Sequence, residues 1–206
     1  MNAVFFEAND DSITKRVHDA RRKALKHNSA YPEVELFGKE AHYSDVKVAY
    51  VQTKAFGLFS GMGHGSASKF TGQWESVLYD RYDTQSTNYT VKGTVVHLYS
   101  CYCGQQLGPY LVNLGAKAFI GYTNPVEVPS SQSVVDEFVK VAATIDRSIL
   151  DGDSHTTTKA KADTEFQSVE GRLLASAVAT SRDVARFRLN NRSMVGPWTD
   201  RQYGYY

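Results

Sequence analysis

The sequence has few cysteines, no long apolar run and almost no net charge. Only Cys101 and Cys103 occur in 206 residues, which is too few for a disulfide framework. No run of about 18 apolar residues is present and the N-terminus turns acidic by Glu7, so neither a membrane-spanning helix nor a signal peptide is predicted. A net charge of +1 gives no general attraction to nucleic acid or membranes. We therefore expect a cytoplasmic protein with reduced cysteines and no nucleic-acid or membrane partner.

The length and composition of the chain are sufficient for one compact domain. With 42% hydrophobic and 12% aromatic residues, the chain can bury a full core. We expect residues 1–206 to form a single domain, with a core over 3–150 and a C-terminal helix and strand within 158–200. The polar segment 152–158 is predicted to be a flexible connector that proteases cut first. The basic residues around Arg21, Arg22 and Lys23 are predicted to be the solvated face of one helix, and His18 to lie on a helix surface.

Short apolar runs alternate with segments of helical periodicity. A helix is predicted after the capping residues 9–12, because Ile13, Val17, Ala20 and Ala24 recur at helical spacing. Strands are predicted over 3–6, 34–37, 55–59, 94–98, 116–122 and 184–189, and further helices from 44, over 105–114, from 133 and over 159–180; residues 69–92 are predicted to be a loop or helix. This order implies an α/β fold, a three-layer α/β/α sandwich with a mainly parallel sheet.

Two polar turns follow neighbouring predicted strands. The run 55–59 precedes the turn 63–66 that carries His64, and the run 94–98 precedes the turn that carries Cys101. Parallel strands would deliver this imidazole and this thiol to the same carboxyl edge of the sheet, where active sites form. A histidine that takes the proton of a cysteine makes it a nucleophile. The leading interpretation is a cysteine peptidase.

These turns resemble those of the caspase-like superfamily of cysteine peptidases (clan CD), in particular its gingipain and CHAT-like branches. The resemblance rests on residues 63–66 (Gly-His-Gly-Ser), 98–104 (Leu-Tyr-Ser-Cys-Tyr-Cys-Gly) and the following segment 114–122, which begins with Leu-Gly-Ala. The caspase signature Gln-Ala-Cys-x-Gly is absent, so specificity for aspartate is not implied. The resemblance implies a caspase-like fold and hydrolysis of peptide bonds in a protein or peptide substrate.

The resemblance also implies residue roles. Cys101 would be the nucleophile and His64 the general base and acid, forming a dyad without a third carboxylate. The N–H groups of Gly65 and Cys101 would form the oxyanion hole, and a thioester acyl-enzyme would be hydrolysed by water. No cofactor is expected. Any regulation would come from a separate protein partner, because the chain has no room for a sensor domain.

The resemblance also indicates part of the substrate specificity. Relatives that cut after Arg or Lys carry an acidic residue two positions before the cysteine, where this chain has Tyr99. A basic substrate side chain is therefore disfavoured, although Glu127 or Asp200 could still enter the pocket. Tyr99 and Glu127 are the substrate-binding candidates.

Other interpretations compete with these assignments. Cys103 is interpreted as a packing residue or a redox bystander, and His97 as a buried, hydrogen-bonded core residue. The spacing of Cys101, Cys103 and His97 is too cramped for a metal site. The glycines around His64 do not match a dinucleotide-binding loop, and no Gly-x-Ser-x-Gly motif indicates a serine hydrolase. The main alternative is a catalytically inactive caspase-like domain that serves as a scaffold.

Overall fold

The computed structural model describes residues 2–25, 33–53, 56–83 and 87–197. None of the helices in these ranges has the length and hydropathy needed to cross a bilayer. The elements in chain order are β1 (Ala3–Glu7), α1 (Ser12–Ala24), β2 (Glu33–Phe37), α2 (Tyr43–Thr53), β3 (Leu58–Met62), β4 (His64–Gly65), β5 (Lys69–Thr71), β6 (Val77–Asp80), β7 (Val95–Tyr99), α3 (Leu107–Asn113), β8 (Ala118–Tyr122), α4 (Gln132–Leu150), α5 (His155–Ala175), α6 (Ser181–Ser193) and β9 (Met194–Val195).

The central sheet is mostly parallel. Its strand order is β2-β1-β3-β7-β8-β9, and only β9 runs antiparallel to its neighbour. The last residues of the three central strands lie side by side, because Glu7 pairs with Met62 and Met62 pairs with Tyr99. The turns that follow β1, β3 and β7 therefore meet at one edge of the sheet.

Helices cover both faces of the sheet. Alternate strand residues such as Phe6 and Phe59 pack with α2 and α3, whereas Phe5 and Leu58 pack with α4, α5 and α6. Alternation of this kind is expected for strands that are buried on both faces. The prediction of an α/β/α sandwich with a mainly parallel sheet is confirmed.

A second, smaller sheet follows the histidine. Strands β4, β5 and β6 form an antiparallel sheet, so the prediction of a loop or helix for residues 69–92 was wrong at Lys69–Thr71 and Val77–Asp80. Short 3₁₀ helices occupy Gln73–Glu75 and Thr87–Val91. Its apolar residues Phe70, Leu78 and Tyr79 are fully buried in the same core as α2 and α3. The strands are three or four residues long at most, too short to show a clear alternation in sequence.

Two predictions for the C-terminal region were wrong. The segment 152–158 is not a flexible connector, because α5 already begins at His155 and Thr158 is buried. Ser148 fixes this turn by hydrogen bonds with Asp153 and Thr158. The predicted strand 184–189 lies within α6, where Val184 and Phe187 are buried at helical spacing and Leu189 is exposed.

The prediction for the basic helix was also wrong at two positions. Arg21 and His18, both on α1, are buried rather than solvated. Both side chains contact Glu7, and Arg21 also contacts Asp146. A pattern of charges along the sequence does not reveal these partners. Ala55, at the start of a predicted strand, and Asp200 lie outside the described residues.

Candidate active site

A cleft lies at the carboxyl edge of the sheet, where the turns after β1, β3 and β7 meet. The space within it amounts to about 420 Å³, part of which is open solvent. Both His64 and Cys101 line it. The remaining lining residues are Ile13, Thr14, Val17, Met62, Gly63, Tyr99, Ser100, Val126 and Val128.

His64 has a carboxylate partner. Its Nε2–H donates to Asp11 Oδ2 over 2.6 Å, and both side chains are partly exposed. An ionised carboxylate can only accept, so this bond assigns the proton to Nε2 and leaves Nδ1 to accept another proton. The ring is thereby held in one orientation and in the tautomer that a general base needs.

Asp11 is fixed by the helix that it caps. As the N-cap of α1, its Oδ1 accepts the N–H groups of Ile13 and Thr14, at 2.6 and 2.8 Å. Partial burial acts to raise the pKa of Asp11, but the hydrogen bonds from Thr14, His64 and Ile13 outweigh it and lower the pKa. The carboxylate is therefore ionised at neutral pH and can stabilise a positively charged imidazole.

Cys101 is partly exposed in the turn that follows β7. Its Sγ accepts the backbone N–H of Val126 at 3.3 Å. Among the described residues, no hydrogen bond joins Cys101 Sγ to His64. Catalytic hydrogen bonds are often long in unliganded enzymes and shorten only when substrate is bound. The observation that relates Cys101 to His64 is therefore that both side chains line the same cleft.

Gly65 brings the histidine turn against the cysteine turn. A Cβ atom at Gly65 would lie 2.3 Å from Ser100 Oγ and 2.6 Å from Cys101 O, so a larger residue cannot be accommodated. Ser66 N–H donates to Lys69 O. Hydrogen-bonded and non-hydrogen-bonded pairs alternate along antiparallel strands, so the preceding residue, Gly65, is not hydrogen-bonded to β5. The Gly65 N–H therefore faces away from β5.

The second proposed oxyanion donor is the backbone of the cysteine itself. No acceptor among the described residues takes the Cys101 N–H, whereas the N–H of the next residue, Tyr102, donates to Asn124 O. The N–H groups of Gly65 and Cys101 thus belong to two turns in direct contact. Both N–H groups can donate to a bound ligand instead of to another part of the protein.

Cys103 differs from Cys101 in its surroundings. Tyr102 has a φ of 60°, a left-handed conformation that reverses the chain directly after Cys101. Cys103 is consequently fully buried in the apolar core, where its Sγ lies 3.4 Å from Lys69 O. Burial raises the pKa of the Cys103 thiol to about 12, so it is a neutral packing residue at physiological pH.

The two substrate-binding candidates lie in different places. Tyr99 lines the cleft, and its ring packs edge-on against Tyr122 with centroids 5.4 Å apart. Glu127 is not among the cleft-lining residues. Its carboxylate lies 3.3 Å from Arg186 Nε, on the side of α6, because its backbone is held there.

One group of side chains could hold a divalent metal ion. Ligand atoms of Asp10, Asp11 and His64 all lie within 4.8 Å of one another. Their oxygens already accept protein hydrogen bonds, however, since Asp10 Oδ2 takes the N–H of Trp74 and Asp11 takes three donors. The donor set is therefore better suited to orienting His64 than to binding a cation.

Sequence reasoning missed Asp11 as a site residue. It identified residues 9–12 as helix-capping residues, and Asp11 does cap α1. The link to His64 arises because β1 lies beside β3 in the sheet, so the turn after the first strand adjoins the histidine turn. A carboxylate in the turn between a predicted strand and a predicted helix was the only available signal, and it is also the usual signature of a helix cap.

Comparisons with known proteins do not assign the chain to a family. Neither the protein-family models nor the curated proteins contain a match to the chain.

Proposed function

We propose that this chain is a cysteine peptidase with Cys101 as nucleophile, His64 as general base and acid, and Asp11 as a positioning residue. The observation that carries the proposal is that the partly exposed thiol of Cys101 and the imidazole of His64, which is oriented by a carboxylate, line one cleft. Gly65 packs directly against the cysteine turn, so the N–H groups of Gly65 and Cys101 lie in adjoining turns.

The first half-reaction forms an acyl-enzyme. His64 Nδ1 takes the proton of the Cys101 thiol, and the thiolate attacks the carbonyl carbon of the scissile peptide bond to form a C–S bond. The N–H groups of Gly65 and Cys101 stabilise the negative oxygen. The C–N bond then breaks, and His64 returns the proton to the departing amine, which leaves a thioester.

The second half-reaction uses water. His64 takes a proton from a water molecule, whose oxygen attacks the thioester carbon and forms a C–O bond. The C–S bond then breaks, the carboxylic acid leaves, and His64 returns its proton to Cys101 Sγ to restore the thiol. Throughout, Asp11 stabilises the imidazolium without taking its proton, because the pKa of Asp11 is low.

The resemblance of the two turns to caspase-like peptidases supports the same reaction. So does the architecture, since both turns follow adjacent parallel strands of an α/β/α sandwich. The caspase-like assignment of the fold is part of this proposal.

A covalent peptide probe tests the proposal. The protein is incubated with a peptidyl acyloxymethyl ketone bearing leucine at P1 (the residue before the cleaved bond), and its intact mass is recorded. We expect one adduct on the native protein and on Cys103→Ser, none on Cys101→Ala, and labelling slowed at least about tenfold in His64→Ala. Circular dichroism checks that each variant is folded.

The scaffold alternative predicts the opposite result. If folded native protein forms no adduct and cleaves no unfolded protein substrate such as casein, the peptidase proposal is wrong. A non-catalytic interaction domain would then be the better interpretation.

A further inference from the structure

We propose that the cleft beside Cys101 is an S1 pocket for an uncharged, apolar P1 side chain such as leucine or methionine. This inference rests on the proposed function and names the substrate class of the same site. The sequence indicated only that a basic side chain is disfavoured, whereas this inference names the side chains that the pocket accepts.

The walls of the cleft are apolar. Val17 and Met62 are buried beneath it, Ile13 lies at its rim, and Val126 and Val128 form the opposite wall. No Asp, Glu, Lys or Arg is among the described residues that line it. An apolar side chain that enters loses its contact with water at no electrostatic penalty.

A charged side chain would be unpaired in this cleft. Burying an ammonium, guanidinium or carboxylate without an opposite charge is strongly unfavourable. Tyr99 cannot supply that charge, because burial raises the pKa of its phenol and keeps it neutral at physiological pH. The carboxylate of Asp11, which contacts the cleft-lining His64, is engaged by that histidine and by the N-terminus of α1.

The valine wall is held in place from behind. Asn190 on α6 accepts the N–H of Glu127 at 2.9 Å and donates to its carbonyl oxygen at 2.8 Å. Side chains alternate along an extended segment, so Val126 and Val128 face the cleft while Glu127 points the other way to Arg186. This arrangement keeps the acidic side chain out of the pocket and presents two aliphatic ones.

A matched series of probes tests the inference. The same acyloxymethyl ketone peptide is prepared with Leu, Met, Arg, Lys or Asp at P1, and labelling rates of Cys101 are compared. We expect Leu and Met to react at least about tenfold faster than the three charged residues. Faster labelling by Arg, Lys or Asp than by Leu and Met would overturn the inference and leave the peptidase proposal intact.

A charge added at the rim provides the reciprocal test. Ile13 is 48% exposed in the first turn of α1, where an acidic residue is compatible with the helix dipole. In Ile13→Glu the ratio of Lys to Leu labelling should rise at least about fivefold, by attraction between unlike charges near a protein surface. Comparing ratios cancels any effect of the new charge on His64 or Cys101.

Two control variants complete the design. Ile13→Gln changes shape without charge, and Val51→Glu adds the same charge at a 74% exposed position on α2, across the sheet. Neither should raise the Lys to Leu ratio, and a rise in either equal to that of Ile13→Glu would contradict the pocket assignment. If no P1 residue gives His64-dependent labelling of Cys101, the proposed function itself fails.

Discussion

Two histidine–carboxylate pairs with nearly the same nitrogen–oxygen distance lie in opposite environments of this molecule. His64 and Asp11 are joined at 2.6 Å with side chains 49% and 39% exposed, whereas His97 and Asp146 are joined at 2.8 Å with side chains 1% and 0% exposed. The first pair lies at the edge of the sheet and the second beneath its centre. The prediction that His97 is a buried, hydrogen-bonded core residue is confirmed.

The buried pair belongs to a larger network between the sheet and the helices α1 and α4. Asp146 also binds Arg21 at 2.8 Å and Ser60 at 2.7 Å. Arg21 continues to Glu7 at 3.1 Å, and Glu7 to His18 at 2.6 Å. The pKa of Asp146 is lowered because Arg21 and His97 outweigh the effect of its complete burial.

Burial, rather than bond length, distinguishes what the two pairs can do. A charge inside the protein has no water to replace a lost partner, so removing one member leaves the others unpaired. At the edge, water can replace the partner, and the accessible imidazole can meet a substrate. The buried pair is therefore expected to govern stability and the exposed pair to govern activity.

The largest expected effect is at the buried pair. Asp146→Asn should lower the free energy of unfolding by about 3–5 kcal/mol, because Arg21 loses its strongest partner in a buried site. Urea denaturation followed by circular dichroism measures this change. The control Asp163→Asn removes an exposed partner of Lys159 and should cost no more than about 0.5 kcal/mol. Equal effects of the two variants would contradict the comparison.

The exposed pair should show the reverse pattern. Asp11→Asn keeps an N-cap oxygen for α1 but removes the charge that orients His64, so the free energy of unfolding should change by less than about 1 kcal/mol. Labelling of Cys101 by the leucine probe should slow roughly 10- to 1,000-fold, less than the ~10⁴-fold cost of a buried triad aspartate. A variant that is strongly destabilised yet reacts normally would assign Asp11 a purely structural role.

The pH dependence of stability sharpens the comparison. The folded-state pKa of Asp146 is lowered below its ordinary value of 3.8, so its contribution is complete above that value. It is lost as the pH falls through the lower pKa of the folded state, because the unfolded chain binds the proton more readily. The difference in unfolding free energy between native protein and Asp146→Asn should thus persist from pH 7 to 5 and shrink below pH 4. Loss of that difference already between pH 7 and 5 would argue against an ionised, paired Asp146.

The smallest expected effect is a difference in reactivity between the two cysteines. Like the two histidine pairs, one lies at the edge of the sheet and the other in the core. Iodoacetamide at pH 7 should add one group to the native protein, on Cys101, and two groups after unfolding in urea. Cys103 is protected because burial excludes the reagent and raises the pKa of its thiol to about 12. Mass spectrometry of peptides locates the adducts. Modification of Cys103 in the native state would place the wrong cysteine at the cleft.

The sequence by itself was sufficient for local features. Periodicity over residues 12–24 and 132–150 identified two helices, and apolar runs identified β1, β7 and β8 to within a few residues. The small polar turns after β3 and β7 marked the positions of His64 and Cys101. All of these depend on residues close in the chain, where spacing and turn chemistry act directly.

The tertiary structure alone decided which distant residues became neighbours. The strand order places Asp11 beside His64, and packing of α1 on α4 buries Arg21 against Asp146. Asn190 turns Glu127 away from the cleft from 63 residues further along the chain. In sequence, Asp11 is an ordinary helix cap and Arg21 an ordinary surface charge. Their roles follow from burial and from partners that only the assembled sheet and helices supply.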